Sequence, residues 1–168
     1  MRNNAIICLF LSSGLRVSEL INIELKDINY NENSIKIIGK GNKERLAYFS
    51  NYCKEKLLIY QNTRKDDSPY LFISNKKDKL SRREIDYIVK KAYNLMDIGD
   101  KNFSTHTLRH TAATLLYTYV REDTLLLKEF LGHSSIVSTE IYTHIHNLKV
   151  KEAVEKNPLN NYIVKNKK

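Results

Sequence analysis

The sequence predicts an α+β fold that is mostly α-helical, with a small antiparallel three-stranded sheet. Apolar residues recur at helical spacing through much of the chain. Two short segments rich in Ile, Leu, Tyr and Phe flank a turn that contains Gly and Asn. The length of 168 residues suits one domain and excludes two full-sized ones. With 42% hydrophobic and 28% charged residues, the composition is that of an ordinary globular protein.

Helical periodicity predicts most of the elements. The first helix ends near Gly14 and the sixth at Gly132, because glycine is the residue best suited to end a helix. In the fourth helix, apolar residues from Ile85 to Met96 recur at i, i+3 and i+4. In chain order, the predicted helices cover about residues 3–12, 16–24, 52–63, 81–96, 105–120, 123–131 and 135–145.

Three short strands are predicted beside these helices. Segments 34–39 and 45–50 have the composition of strands, and residues 40–43 between them suit a tight hairpin turn. Segment 70–73, which follows Pro69, is the predicted third strand.

The two cysteines and the two ends of the chain bear on its compartment. Cys8 and Cys53 have no paired spacing, so we expect free thiols in a reducing cytoplasm. A basic start followed by the apolar segment 5–11 imitates a secretory signal, but the segment is short and no cleavage site follows, so we expect a buried helix. No stretch is long and apolar enough to predict a membrane span.

The charge balance points to an anionic partner. The chain has 28 Lys and Arg against 19 Asp and Glu, a formal net charge of +9. Nucleic acid is the first candidate for such a partner, although basicity alone is weak evidence.

The segment around Arg109 is the most informative. Ser104 or Thr105 can cap a helix on which Leu108, Ala112, Leu115, Leu116 and Tyr119 share one face. His106, Arg109 and His110 project from the opposite side, near a helix N-terminus that favours anions. A solvated polar face is the plain alternative. Zinc binding by the two histidines is a weaker one, because an arginine would lie against the cation.

Two further segments carry unusual residues. Arg16 stands at a helix start, where its charge opposes the helix dipole and therefore needs a compensating contact. Tyr142 lies on the polar side of the last predicted helix, away from the apolar stripe formed by Val137, Ile141 and Ile145. Taken singly, neither residue establishes a function.

Taken together, the motifs resemble the tyrosine recombinase (phage integrase) family, and its Xer-like recombinases and mobile-element integrases in particular. Five strings occur in the family's order over about residues 3–150: Gly-Leu-Arg-Val-Ser-Glu-Leu, Gly-Lys-Gly-Asn-Lys-Glu-Arg, His-Thr-Leu-Arg-His, Leu-Gly-His and Ile-Tyr-Thr-His. The resemblance implies the catalytic-domain fold of that family and site-specific, metal-independent cleavage and rejoining of DNA.

The resemblance implies six catalytic positions, which are Arg16, Lys40, His106, Arg109, His133 and Tyr142. The two arginines match those that bind the scissile phosphate, and the histidines match those that hydrogen-bond or move a proton there. The tyrosine matches the nucleophile that forms a 3′-phosphotyrosyl intermediate. Lys40 matches the general acid for the departing 5′-oxygen, with Lys43 as its rival.

Further cations are candidate DNA contacts. They are Lys43, Arg45, Arg82, Arg83, Lys90, Lys91 and His110. Glu19 belongs to a motif string but is not expected to be catalytic. The partner implied is double-stranded DNA, and the resemblance implies no metal or other cofactor.

Domain organisation follows from the same resemblance. Residues 1–157 match the catalytic domain, and residues 158–168 form a basic C-terminal tail. Only 15 residues precede Arg16, so we expect the family's N-terminal core-binding domain to be absent from this chain. The tail is expected to pack on a neighbouring subunit in a homotetramer on DNA, or else to fold back on its own domain or be disordered.

Two alternative functions remain open. A type IB topoisomerase uses similar chemistry but would relax supercoils without a specific site. A truncated accessory protein would bind DNA without forming a covalent adduct.

Overall fold

A computed structural model describes residues 1–39, 44–95, 104–120, 126, 130–132 and 150–156. The predicted hairpin turn at 40–43, the helix at 135–145, most of the helix at 123–131 and the tail at 158–168 lie outside the described residues. The chain has the predicted class: the described part contains five helices, a 3₁₀ turn, one small antiparallel sheet and a further helical segment at 150–155.

Helix α1 (Arg2–Ser13) forms the centre of the core. Ala5, Ile6, Leu9 and Phe10 are fully buried, which confirms the buried helix predicted over 5–11. α1 packs against α3 (Asn51–Gln61) and α5 (Thr105–Val120). It ends where predicted, at Gly14, whose left-handed backbone (φ 58°) lets its N–H donate to the Phe10 carbonyl at 3.0 Å.

Helix α2 (Val17–Ile21) is shorter than the predicted helix over 16–24. The backbone that follows it pairs with another part of the chain. The Leu71 N–H donates to the Ile23 carbonyl and the Leu25 N–H to the Pro69 carbonyl, both at 2.8 Å. These bonds replace helical ones, and a 3₁₀ turn (Leu25–Asp27) follows.

The sheet has three antiparallel strands in the order β1 (Ile28–Asn29), β2 (Ser34–Ile38) and β3 (Glu44–Tyr48). Ile35 pairs with Ala47 and Ile37 with Arg45, so these side chains share the inner face.

The third strand was predicted wrongly. Segment 70–73 makes only isolated bridges, between Tyr70 and Glu24 and between Ile73 and Lys79. The strand that completes the sheet, β1, is joined to β2 by a short turn in which Asn33 takes a left-handed conformation (φ 52°). Closing so short a loop loses little entropy, so the local hairpin forms in place of the distant segment.

Helix α5 and most of α4 (Arg82–Asn94) confirm the predicted periodicity, with Ile85, Ile88 and Val89 buried on α4. Leu95, predicted on the same apolar face, lies beyond the end of α4 and is 81% exposed. A capping box starts α4: Ser81 Oγ accepts from the Glu84 N–H at 3.3 Å, and the Glu84 carboxylate accepts from the Ser81 N–H at 2.8 Å. On α5, Leu108, Ala112 and Leu116 are buried, while Leu115 is only partly buried.

The start of α5 decides between the two predicted caps. Thr105 is buried and its hydroxyl contacts Asp86 at 3.4 Å, so it does not cap the helix. Ser104 occupies the cap position, and its N–H donates to Thr107 Oγ1 at 3.2 Å. This bond is the half of a capping box in which the side chain inside the helix satisfies the cap residue's N–H.

A second hydrophobic cluster joins α5 to the C-terminal part of the chain. Val150, Ala153 and Val154 of the helical segment 150–155 are buried against Tyr48, Ala112, Leu116, Leu126 and Phe130. This segment therefore packs on its own domain.

Both cysteines are free, as predicted. Burial raises the pKa of Cys8 to about 11 and raises the pKa of the fully buried Cys53 as well. In the described ranges, no helix has the length and apolar character needed to cross a membrane.

Candidate active site

Arg16 lies at the junction between Gly14 and α2. It is the N-cap residue of that helix and has an extended backbone (φ −76°, ψ 153°). Its side chain is 41% exposed and its Nη1 lies 2.9 Å from Glu19 Oε1. The Glu19 Oε2 atom also accepts from the Arg16 N–H at 2.7 Å. This carboxylate is the compensating contact that an arginine at a helix start requires.

Glu19 is the residue that the sequence analysis did not place in the site. Its side chain is only 5% exposed, and its two oxygens contact both Arg16 and Arg45. The available signal was the acidic residue three positions after a helix N-cap, which identifies half of a capping box. That signal does not show that the carboxylate also binds a distant strand.

Arg109 lies in the second turn of α5 and is partly buried. Its Nη1 donates to the Gly14 carbonyl, and its Nη2 donates to the Leu131 carbonyl at 2.6 Å. These bonds fix the plane of the guanidinium, which has more N–H donors than these two carbonyls use. Burial, followed by repulsion from Arg16 and Arg45, lowers the pKa of Arg109 to about 10.

The Glu19 carboxylate contacts the guanidiniums of Arg16 and Arg45, and its charge also acts on the nearby guanidinium of Arg109. The three guanidiniums are close enough for the positive charges to destabilise one another, since the charge on Arg16 contributes to a lowered pKa at both Arg45 and Arg109. One carboxylate neutralises one of the three charges. The cluster therefore retains an excess of positive charge that an anion can neutralise.

A cavity of about 330 Å³ opens beside this cluster. The polar side chains that line it come from α2, α4 and α5 and from the residue before α2; they are Arg16, Ser18, Arg82, Thr105, His106 and Arg109. His106 is exposed, and it projects into the cavity from the first turn of α5. The structure thus brings together three of the predicted catalytic residues, Arg16, His106 and Arg109.

The other three predicted catalytic residues lie outside the described residues. They are Lys40, His133 and Tyr142, and the rival lysine, Lys43, lies outside them as well. Gly132, which precedes His133, is described and has a left-handed backbone (φ 62°), as predicted for a helix end. Residues 131 and 132 contact the cluster, because Arg109 binds the carbonyl of Leu131.

The candidate DNA contacts fall into two groups. Arg83, Lys90, Lys91 and His110 are exposed, and Arg82 is exposed at the cavity with its Nε 3.9 Å from Asp86. Arg45 differs from all of these. Its side chain is 17% exposed and its Nη2 lies 3.0 Å from Glu19, so it faces inward.

The weaker alternative was that His106 and His110 bind zinc. In the part of the chain that the structure describes, no group of three or more His, Cys, Asp and Glu side chains is arranged to hold a metal ion. His106 and His110 are both exposed on α5, and the residues that line the cavity include only His106.

Comparison with known proteins places this chain in a family. The chain is 44% identical over 162 residues to the tyrosine recombinase XerC of Caldanaerobacter subterraneus subsp. tengcongensis, covering 94% of this chain and 45% of that protein. The structure superposes with a TM-score of 0.73 on the integrase from mycobacterium phage Brujita, at 26% identity, covering 93% of this chain and 51% of the other.

A XerH site-specific recombinase bound to palindromic difH substrate, in a post-cleavage complex, superposes with a TM-score of 0.68 at 30% identity, covering 90% of this chain and 44% of the other. The chain thus spans about half the length of these relatives. Residues 1–149 match the phage integrase family over most of the chain. By its sequence and its fold, the chain belongs to the phage integrase family.

Proposed function

We propose that this chain is the catalytic domain of a site-specific tyrosine recombinase, which cleaves and rejoins DNA through a 3′-phosphotyrosyl intermediate. One observation carries the proposal. Two partly exposed guanidiniums, those of Arg16 and Arg109, line one cavity with His106 and carry more positive charge than Glu19 neutralises. A phosphodiester is the anion that fits this cavity, because family relatives act as recombinases and one is bound to DNA.

The two arginines act on the phosphate. A phosphodiester resists nucleophiles because it is negatively charged, and more charge develops in the pentacoordinate transition state. Arg16 and Arg109 provide donors to the non-bridging oxygens that are already oriented, one by Glu19 and the other by two main-chain carbonyls. Donors held in this way are worth roughly 10²–10³ in rate each, by analogy with oxyanion-hole deletions.

Tyr142 supplies the nucleophile in this proposal. Its phenolic oxygen attacks phosphorus and forms a tyrosyl 3′-phosphodiester, while the bond from phosphorus to the 5′-oxygen breaks. The phenolic proton passes to a base, for which His106 or His133 is the candidate, and Lys40 protonates the leaving 5′-oxygen. The 5′-hydroxyl of a partner strand then reverses the step, so the phosphodiester energy is retained and no ATP is consumed.

The remaining exposed cations are proposed to bind the DNA backbone beyond the scissile phosphate. Arg82 and Arg83 begin α4, and Lys90 and Lys91 lie in its later turns. Each cation that neutralises a phosphate releases counterions, so the affinity for DNA falls as salt increases. A homotetramer on DNA that exchanges C-terminal tails, and a cytoplasmic location, belong to the same proposal. Segment 150–156 contacts its own domain, which leaves residues 157–168 for such an exchange.

Covalent trapping tests the proposal without knowledge of the target site. The chain is incubated with nicked duplexes of randomised sequence, in which the short fragment that carries the new 5′-hydroxyl diffuses away. The expected result is an adduct of protein and DNA that survives denaturation, from which the attached ends can be sequenced. Tyr142→Phe should bind DNA but give no adduct, and Tyr87→Phe is the matched control, since Tyr87 is 68% exposed on α4.

Two results would contradict the proposal. An adduct that persists in Tyr142→Phe would refute the assignment of the nucleophile. DNA binding with no adduct from the wild-type chain would favour the accessory DNA-binding protein instead. The relatives compared above are recombinases and integrases, so nothing in those comparisons supports the topoisomerase alternative.

A further inference from the structure

Arg45 stands on the side of β3 where an apolar residue is expected. It pairs with Ile37, which is 4% exposed on the inner face of the sheet, and Ala47 on the same face is also buried. Leu46, between them, points outward and is 45% exposed. The two-residue alternation that buries Ala47 also turns Arg45 inward and Leu46 outward, although by residue type the leucine would be expected inside and the arginine in solvent. This inverted pattern requires a reason specific to Arg45.

The contacts of Arg45 supply that reason. Its Nη2 lies 3.0 Å from Glu19 Oε2, the same oxygen that accepts from the Arg16 N–H at 2.7 Å. The other oxygen of Glu19 lies 2.9 Å from Arg16 Nη1. A continuous chain of charge-assisted hydrogen bonds therefore runs from Arg45 through Glu19 to both the backbone and the side chain of Arg16.

Arg45 also lies against the turn that precedes His133. A Cβ built on Gly132 would clash with Arg45 Nε and would lie 2.7 Å from its Cδ. Leu131, one residue earlier, has its carbonyl bound by Arg109. The side chains of Arg45 and Arg109 thus lie against two consecutive residues of this turn.

Arg45 takes this position at an energetic cost. In the described part of the chain, its buried Nε and Nη1 atoms have no hydrogen-bond partner. Leaving buried donors unpaired destabilises a folded protein. Burial also lowers the pKa of the Arg45 guanidinium, and the charge of Glu19 opposes that shift. An apolar residue would pack here without either penalty, so general stability does not explain an arginine at this position.

We propose that Arg45 is a positioning residue, which orients Arg16 through Glu19 and supports the turn before His133, rather than a contact to the DNA backbone. The inference rests on the proposed function, since it gives Arg16 the scissile phosphate as its ligand. The proposed role differs from the expectation that Arg45 is one of the DNA-contacting cations.

Single-turnover cleavage at saturating protein, on a site recovered by covalent trapping, tests the inference. Arg45→Met keeps a long side chain and removes the charge. Its rate constant should fall at least about 10-fold, because small misplacements of catalytic groups cost factors of this size or more. Arg45→Lys keeps a charge near Glu19 and should recover part of the rate. Arg45→Met should change little when added to Arg16→Lys, because the group that Arg45 orients has already been altered.

Affinity and folding are measured on the same variants. Arg45→Met should leave the Kd for DNA and its salt dependence close to those of the wild-type chain. Arg83→Met, at an exposed arginine predicted to contact DNA, should lower the salt slope by about one. A purely structural role would lower the amplitude of adduct formation and the unfolding midpoint, but not the rate constant of the folded fraction.

Each outcome decides one point. An unchanged rate constant in Arg45→Met, or a salt slope reduced as in Arg83→Met, would overturn the positioning role while leaving the proposed function intact. Equal losses from Arg45→Met in the wild-type and Arg16→Lys backgrounds would also overturn it, because Arg45 would then not act through Arg16. If the wild-type chain forms no adduct, the proposed function itself fails, and the inference fails with it.

Discussion

The junction between α1 and Arg16 allows a quantitative prediction for Gly14→Ala. Gly14 has a left-handed backbone, with φ 58° and ψ 28°. A Cβ there would lie 2.5 Å from Cε1 and 2.9 Å from Cζ of the Phe130 ring. Phe130 is 4% exposed, so the ring cannot move aside into solvent. The substitution therefore combines backbone strain with overpacking.

The two effects have separate magnitudes. A left-handed backbone costs a residue with a Cβ about 1–2 kcal/mol. Overpacking a filled core costs about 1–3 kcal/mol. We predict that Gly14→Ala lowers the free energy of unfolding by roughly 2–5 kcal/mol, a large share of the stability of a single domain.

Urea unfolding followed by circular dichroism measures this loss. Phe130→Leu, which removes the ring atoms nearest to Gly14, is the partner for a double-mutant cycle. Adding Gly14→Ala to Phe130→Leu should cost only the backbone part, about 1–2 kcal/mol. A loss below about 0.5 kcal/mol in Gly14→Ala alone would refute the reasoning, since that is the range of neutral surface substitutions. Strictly additive effects in the cycle would refute the contact with Phe130.

Three further predictions concern charge. Burial and neighbouring cations lower the pKa of Arg109 to about 10. In Arg109→Lys they should lower the pKa of the lysine in the same way, and the ordinary pKa of lysine is already below that of arginine. Cleavage by this variant should therefore fall as pH rises, starting well below pH 10, and a profile that matched the wild-type chain would contradict this. Glu155→Gln should lower the free energy of unfolding by about 0.5–1 kcal/mol, because the Glu155 carboxylate accepts a backbone N–H at the start of α3 at 3.0 Å. Glu152→Gln, at an exposed position on the same segment, is its control, and equal losses in the two variants would contradict the role of that bond. Replacing both Lys90 and Lys91 with Gln should reduce the salt slope of DNA binding by up to about 2, measured by titration at several salt concentrations, whereas an unchanged slope would remove them from the interface.

Elements with a strong local signal could be predicted from the sequence. α1 is specified by its apolar face and by Gly14, whose conformation is accessible to glycine at little cost. The stripe of Leu108, Ala112 and Leu116 was predicted from helical spacing alone, and the structure buries all three. Because the periodicity and end signals are contained within each segment, distant parts of the chain do not alter them.

Elements that depend on pairing with distant residues could not be predicted. Leu71 donates to the Ile23 carbonyl, so segment 70–73 joins the backbone after α2 and not the sheet. The same contact shortens α2 by providing its following residues with non-helical partners. Nothing within either segment indicates which other segment it will pair with.

The site shows the same division. Arg16, His106 and Arg109 were predicted because motif residues of the family occupy those positions, and the structure brings all three to one cavity. The roles of Glu19 and Arg45 were not predicted, because these roles depend on an ion pair between residues 26 positions apart. A charged residue in a strand is ordinarily assigned to solvent, and only the burial of Arg45 shows otherwise.

Locating the covalent bond tests the central claim most directly. The trapped adduct of the wild-type chain is digested with a protease and a nuclease, and mass spectrometry identifies the residue that retains nucleotide. The chain contains 11 tyrosines, so the result discriminates strongly among them. The account predicts a nucleotide on Tyr142 alone, linked through a 3′-phosphate. A nucleotide on another tyrosine, on a different residue type, or linked through a 5′-phosphate would contradict it.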